Sequence, residues 1–145
     1  MKKSKRMQIL VDIAKRKEDE VVKVLAKEQA RLQQDQQKLQ ELKDYAEQYD
    51  QQRNLIGLSP YLTSNYQHFV DRLQQAITQQ QNQVNRSQQQ VNMAMRRWQE
   101  AQAKTKGMDW LKDKSVSEEI AAEDRQDQKQ IDEFANRAFF NRMRS

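Results

Sequence analysis

Apolar residues recur at intervals of seven through the glutamine-rich middle of the chain. One set of positions holds Val70, Ile77, Val84, Val91, Trp98 and Thr105. A second set, offset by three residues, holds Tyr66, Leu73, Gln80, Ser87, Ala94, Ala101 and Met108. A heptad pattern of this kind predicts a helix that buries both sets in a seam against a partner helix and turns its glutamines to solvent.

The first third of the chain has a similar but weaker seam. One phase contains Leu25, Leu32, Leu39 and Ala46, and the other contains Val21, Leu42, Tyr49 and Ile56. Glu28 and Asp35 interrupt the second phase. Upstream, the stripe continues through Leu10, Ile13, Ala14 and Lys17. This pattern predicts a first helix over about residues 5–54.

The connection between the helices is expected at residues 55–61. Gly57 can end the first helix, and Ser59 with Pro60 can begin the next. So short a connection forces its two helices to run antiparallel. We therefore predict an all-α fold, a long two-helix antiparallel coiled-coil hairpin, as one domain over residues 1–145 with a second helix at about 62–142.

The later part of the second helix carries two signals of weakness. Gly107 lowers helix propensity, and Ser115 with Glu118 has the spacing of a capping box. The second signal predicts a kink or break near residues 113–118. Beyond it, another apolar stripe predicts a further helical segment with Ile120, Ile131, Phe134 and Ala138.

The composition supports helices over disorder. Only 36% of the 145 residues are hydrophobic and 32% are charged, with a mean hydropathy of −1.18. Yet there are two glycines and one proline, too few for a loop-rich or disordered chain. The absence of cysteine excludes disulfides and thiolate metal sites. Because the chain also lacks a long apolar run, we expect a soluble, cytosolic protein.

The net charge of +5 is concentrated at the two ends of the chain. Such a surplus favours nucleic acid, an anionic membrane or an acidic protein surface, although it also suits simple solvation of long helices. The 21 acidic residues lie along the same helices, and no platform of interleaved basic and aromatic residues is evident. We therefore expect no nucleic-acid binding.

No constellation of residues suggests catalysis. His68 is the only histidine and has no neighbouring ligand set. The adjacent acids Glu118–Glu119 and Glu123–Asp124 are typical of the first turn of a helix, not of paired catalytic carboxylates. Phosphate loops, nucleophile elbows and zinc spacings are missing. We expect neither enzymatic activity nor a cofactor or metal.

A second apolar stripe lies beside the seam near the hairpin tip. If facing residues have numbers that sum to about 118, Tyr49 is level with Phe69, Tyr45 with Leu73 and Leu42 with Ala76. Lys38 and Gln80 come next. Exposed aromatics of this kind suit a partner site, or they thicken the core of the hairpin against fraying. The sequence leaves both interpretations open.

Four segments of the chain have a recognisable pattern, namely LKDYAEQY (42–49), NYQHFVDRLQQAI (65–77), RRWQE (96–100) and RQDQKQIDEFANRA (125–138). At these distances they resemble the FliJ family of flagellar type III export proteins. The resemblance implies a cytoplasmic coiled-coil hairpin at the flagellar basal body, without a cofactor of its own. It implies a central stalk that promotes assembly of the export-ATPase ring, engages the membrane export gate protein FlhA and handles export chaperones.

The resemblance also implies which residues bind partners. The gate-binding surface would comprise Leu42, Tyr45, Tyr49, Phe69, Leu73 and Ala76, while Lys38 and Gln80 depart from the family pattern. Our separate hypothesis is that basic residues pair with acidic loops of the ATPase ring. These residues are Arg96, Arg97, Lys129, Arg137 and Arg142.

Two alternatives remain from the residues themselves. One is a structural coiled coil that self-associates, and the other is a basic rod that binds nucleic acid. The hairpin interpretation predicts a monomer when the chain is isolated, whereas open helices that pair between chains predict a dimer.

Overall fold

The computed structural model contains two long helices. It describes the backbone of residues 2–55 and 60–144, and the side chains of residues 2–53 and 65–144. Helix α1 spans Lys3–Leu55 and helix α2 spans Pro60–Arg144. The all-α hairpin is thereby confirmed, and each helix extends about two residues or less beyond its predicted bounds. The predicted roles of Gly57 and Ser59 fall on residues 56–59, outside the described residues.

The chain divides into two compact units. The central unit is Asp19–Glu100, and the terminal unit combines Met1–Glu18 with Ala101–Ser145. Each unit therefore contains a portion of both helices and is described below by itself.

The seam of the central unit follows the predicted heptads. Leu25 is buried against Val91 and Ala94, and Leu32, Met95 and Trp98 pack around them. Every predicted seam position of α2 from Tyr66 to Met108 is buried or half-buried. Since burying the seam is what stabilises long helices in water, this stripe explains why so polar a sequence folds.

The interruption at Asp35 is a polar layer that joins the helices. Asp35 is 8% exposed and Ser87 is 2% exposed, and the Ser87 hydroxyl donates a hydrogen bond to Asp35 Oδ2. Gln83 Nε2 donates to the same oxygen over 3.4 Å, and Gln80 Nε2 donates to the backbone oxygen of Asp35 over 2.8 Å. Buried polar groups are tolerated when they are hydrogen-bonded, so the layer keeps Asp35 compatible with the seam.

The interruption at Glu28 is compensated less fully. Its Oε2 atom is buried and accepts no hydrogen bond, and the nearest cation is Arg31 Nη1, 3.6 Å away on the same helix. An ion pair with a half-exposed arginine contributes little to stability. Glu28 is therefore the least favourable residue of the seam.

The seam of α1 in the terminal unit differs from the predicted stripe. Val11 is fully buried and Ala14 is 4% exposed, whereas Leu10 and Ile13 are 42% and 41% exposed. Lys17 is also exposed. The prediction was wrong for these three positions because it counted helical spacing from Leu10 instead of from the seam position Leu25. Continuing the heptads of Leu25 towards the N-terminus, in alternating steps of four and three residues, leads directly to Ala14 and Val11.

The predicted break near residues 113–118 is wrong, because α2 runs through them without interruption. Ser115 is 3% exposed, and its hydroxyl donates to the carbonyl oxygen of Leu111, one turn earlier, over 3.0 Å. A capping serine would instead accept from a free N–H at the start of a new helix. Ser115 is a seam residue that uses its own helix as a partner, as Thr105 does with the oxygen of Ala101.

Glu119 caps the first turn of α1 from the neighbouring helix. Its two carboxylate oxygens accept hydrogen bonds from the backbone N–H of Ser4 over 3.0 Å and from the Ser4 hydroxyl over 2.7 Å. These bonds lower the pKa of Glu119. Because α1 has no acidic residue in its own first turn, the cap is supplied by α2. The interpretation of Glu119 as a first-turn charge of a restarted helix was therefore wrong.

The last part of α2, residues 120–144, has no buried residue and is called the extension here. α1 begins at Lys3. The Nζ atom of Lys2, the residue before it, lies 3.3 Å from Glu123 Oε1. The positions that would continue the seam are also polar in the middle of the extension. They are Gln126, Lys129, Glu133 and Asn136. The heptad seam of α2 therefore stops level with the first residue of α1, beyond which α2 has no partner helix.

Candidate partner-binding surfaces

An aromatic cluster lies in the central unit, on the turns of both helices that approach their connection. It consists of Tyr45 and Tyr49 from α1 and Tyr66 and Phe69 from α2. The rings of Tyr49 and Phe69 are 4.3 Å apart between centroids, and those of Tyr45 and Phe69 are 5.9 Å apart in an edge-to-face arrangement. Aromatic pairs at these separations stabilise one another beyond simple burial. The structure thus brings together three of the six residues predicted for the gate surface.

The other three predicted residues, Leu42, Leu73 and Ala76, are half-buried along the same helices. Their heptad phases place them on or next to the seam, so only part of each side chain is accessible to a partner. Farther along, Gln80 is engaged with the polar layer through Asp35, and Lys38 is exposed.

The exposure of the four aromatic residues is compatible with both interpretations of the stripe. Tyr66 is 6% exposed, Tyr49 and Phe69 are half-buried, and Tyr45 is 50% exposed. The inner rings thicken the hairpin core, and Tyr45 offers half of its surface to solvent. One cluster therefore combines a structural core with an accessible edge.

Tyr66 has the most constrained side chain of the cluster. Its ring stacks on Tyr49 at 5.0 Å with an interplanar angle of 12°, and the guanidinium carbon of Arg53 lies 4.6 Å from its centroid. Its hydroxyl donates to Asp50 Oδ1 over 2.6 Å, and this bond is the main reason that the pKa of Tyr66 is raised. The sequence placed Tyr66 in the seam but did not include it in the site.

A surface depression of about 730 Å³ adjoins the cluster. Its lining consists of Tyr49, Asn65, Tyr66, His68, Phe69, Asp71, Arg72 and Gln75. His68 is an exposed wall residue of this depression. Among the described side chains, no group of three or more histidine and acidic residues could hold a metal ion.

A second surface is the extension, which leaves its large apolar side chains exposed. Its large exposed side chains are Ile120, Ile131, Phe134, Phe139, Phe140 and Met143, all more than half exposed. Ile131 and Phe134 line a shallow depression of about 420 Å³ with Asp127 and Gln130. Ile131 and Phe134 are neighbours on one face of the helix, and exposed apolar neighbours of this size are typical of interaction surfaces.

The flagellar FliJ protein family matches this chain over residues 2–144. The chain belongs to the FliJ family. The flagellar FliJ protein of Salmonella typhi is 30% identical to it over 135 residues, which is 91% of this chain and 92% of that protein. The flagellar FliJ protein of Escherichia coli strain K12 is 32% identical over 133 residues, covering 89% of this chain and 90% of that protein.

Family membership confirms the resemblance noted in the sequence and supports a role in flagellar protein export. Within this FliJ family member, the basic residues predicted for the ATPase ring fall into two groups. Arg96 and Arg97 are exposed in the central unit, and Lys129, Arg137 and Arg142 are exposed in the extension. Neither described helix has a stretch apolar enough to cross a membrane.

Proposed function

We propose that this FliJ family member is a non-enzymatic central stalk of the flagellar type III export apparatus. It promotes assembly of the export-ATPase ring, couples that ring to the membrane export gate protein FlhA and binds export chaperones. It works at the cytoplasmic face of the flagellar basal body. Family membership over residues 2–144 is the observation that carries the proposal, and the two surfaces described above support a division of labour between partners.

The extension is our candidate for the ring contact. A helix that buries nothing gains little stability from its own hydrogen bonds, so a partner that covers its apolar side chains would stabilise both. Its charge distribution adds direction. All its acidic residues lie at or before Glu133, and Arg137, Arg142 and Arg144 follow. Basic side chains at a helix C-terminus complement the helix dipole and attract acidic loops, which speeds encounter.

The aromatic cluster is our candidate for the gate contact. Tyr45 presents an exposed ring that is supported from below by Phe69. Rigid, partly exposed aromatic residues are the side chains that most often dominate binding energy at protein interfaces. Leu42, Tyr49, Leu73 and Ala76 would complete the apolar surface around it.

The ring contact is tested with the cognate export ATPase. We would measure its hydrolysis rate and oligomeric state alone, with the full chain, and with the variant Ile131→Ser/Phe134→Ser. We expect the full chain to stimulate hydrolysis and to promote a ring-sized species, and the variant to do neither. The matched control, Gln89→Ser/Gln90→Ser, changes two exposed residues of the central unit and should behave as the unsubstituted chain. An ATPase that ignores the full chain would overturn the stalk proposal.

The gate contact is tested separately with Tyr45→Ala and Phe69→Ala. We expect both variants to bind the cytoplasmic domain of FlhA more weakly while stimulating the ATPase normally. Loss of both activities together would contradict the assignment of the two partners to two different surfaces.

The exposed apolar side chains of the extension also favour a second candidate, a coiled coil that self-associates. Sedimentation of the purified chain distinguishes the two. The stalk proposal expects a monomer, and a stable dimer that Ile131→Ser/Phe134→Ser dissociates would favour self-association.

A further inference from the structure

Tyr66 and Asp50 form a cross-helix contact that lies beneath the accessible edge of the aromatic cluster. We propose that this contact holds Tyr49, and through it Phe69 and Tyr45, in the arrangement that partner binding requires. Tyr66 is thus a positioning residue of the binding surface. The inference rests on the proposed gate-binding function of the cluster, and it assigns a role to two residues that lie outside the gate-binding surface implied by the resemblance.

Tyr66 is fixed at both ends of its side chain. Its ring lies flat against Tyr49, while its hydroxyl bonds Asp50 on the other helix over 2.6 Å. Stacking alone leaves a ring free to slide in its own plane. A short bond to a carboxylate, which is stronger than one between neutral groups, removes that freedom.

Residues from consecutive turns of α1 contact the ring and the hydroxyl of Tyr66. Tyr49 and Arg53 are four residues apart and share one face of the helix, and Asp50 lies between them. Arg53 approaches the ring to 4.6 Å from the centroid. The Tyr66 phenol is protonated at neutral pH, as an ordinary tyrosine is, and the bond to Asp50 raises its pKa further.

The four rings contact one another in succession, from the buried side of the cluster to its exposed side. Tyr66 contacts Tyr49, Tyr49 contacts Phe69, and Phe69 contacts Tyr45, whose side chain is half exposed. A partner that binds Tyr45 benefits if these rings are already ordered, because it does not then bear the cost of immobilising them. The Tyr66 hydroxyl affects binding through this order, without needing to touch the partner.

The experiment compares Tyr66→Phe, which keeps the stacked ring and removes only the hydroxyl, with Asp50→Ala and Asp50→Asn. We would measure affinity for the cytoplasmic domain of FlhA, and the line widths and ring-flip rates of Tyr49 and Phe69 by NMR in the full chain. We expect Tyr66→Phe and Asp50→Ala to bind about threefold to tenfold more weakly and to show faster ring motion. Asp50→Asn keeps an acceptor oxygen and should restore part of both properties.

A matched control separates positioning from general stability. Ser87→Ala removes another cross-helix hydrogen bond in the central unit, at the polar layer and outside the cluster. It should lower the unfolding midpoint without changing FlhA affinity or the ring motion. If Ser87→Ala weakens binding as much as Tyr66→Phe does, Tyr66 acts only through stability, and the inference is overturned.

The remaining outcomes separate this inference from the proposed function. Normal FlhA binding by a folded Tyr66→Phe, whatever its ring motion, would overturn the positioning role and leave the gate assignment intact. Failure of the unsubstituted chain to bind FlhA would overturn the gate assignment and the binding role of Tyr66 together. If Tyr66→Phe does not fold, Asp50→Asn and Asp50→Ala decide the question, since Asp50 is exposed and its replacement removes no buried side chain.

Discussion

The part of α2 that precedes residue 120 is called the paired part here. It forms one continuous helix with the extension, yet the apolar residues of the two parts differ in exposure. In the paired part, Val84, Val91 and Ala94 occupy heptad positions and are buried. In the extension, larger residues such as Phe134 and Phe140 remain more than half exposed. Heptad phase and the presence of a partner helix, not hydrophobicity, therefore decide which side chains become buried.

The largest expected effect is on the seam itself. Leu25→Ala should lower the free energy of unfolding by about 2–4 kcal/mol, because it leaves a cavity between the helices. Phe134→Ala removes a larger side chain that is 76% exposed and should change it by less than about 0.5 kcal/mol. Urea denaturation followed by circular dichroism measures both. A large loss of unfolding free energy from Phe134→Ala would mean that the extension is packed against another part of the protein, contrary to the exposure of its side chains.

A smaller effect separates two buried serines. Ser87 bonds Asp35 on the other helix, whereas Ser115 bonds its own helix. Ser87→Ala should destabilise by about 1–2 kcal/mol because it deprives a buried carboxylate of a donor. Ser115→Ala should be near neutral, since the Leu111 carbonyl can keep its helical partner. Equal losses in urea denaturation would show that burial alone, and not the cross-helix bond, sets the cost.

Gly107 offers a stabilising change in the paired part of α2. A Cβ added there would meet no atom within 4 Å, so alanine fits without strain. Gly107→Ala should raise the free energy of unfolding by about 0.5–1 kcal/mol through helix propensity. Ala103→Gly, one turn earlier at an exposed position, is the reverse control and should lower it by a similar amount. Destabilisation by Gly107→Ala would indicate that the helix needs glycine there for another reason.

The smallest effect concerns pH at the border between the paired part and the extension. The pKa of Glu119 is lowered in the folded chain, chiefly by the backbone N–H of Ser4. The stabilisation is therefore fully present above the unfolded value, near 4.5, and is lost as pH falls through the folded pKa. Melting curves from pH 7 to pH 3 should show a slightly steeper acid loss for the unsubstituted chain than for Glu119→Gln. Parallel curves would argue against the cap.

The sequence predicted most of the seam because heptad spacing is independent of side-chain detail. It also brought Tyr49 level with Phe69 through a simple register. It failed where local chemistry has two meanings. Ser115 resembles a helix cap, yet it lies in a seam. Leu10 resembles a core residue, yet the phase of Leu25 points to Val11 instead.

Other features were beyond prediction because they depend on where a side chain on one helix reaches the other. The Tyr66–Asp50 bond and the capping of Ser4 by Glu119 each join a polar group on one helix to a polar group on the other. Neither pair has a spacing that a periodic pattern could reveal. Cross-helix geometry was needed to find both.

The polar layer at Asp35 also prevents errors of alignment in the central unit. A repeating seam tolerates a slip of one whole heptad, because most apolar residues find another apolar neighbour. After such a slip, Asp35 would face the methyl group of Ala94 instead of the Ser87 hydroxyl, and its buried carboxylate would lose that hydroxyl donor. Tyr45 would then lie level with Ala76 and lose Phe69, so the aromatic cluster opposes the same slip by itself. Two separate contacts therefore keep the central unit in its correct alignment, one made by a buried aspartate and one made by the rings.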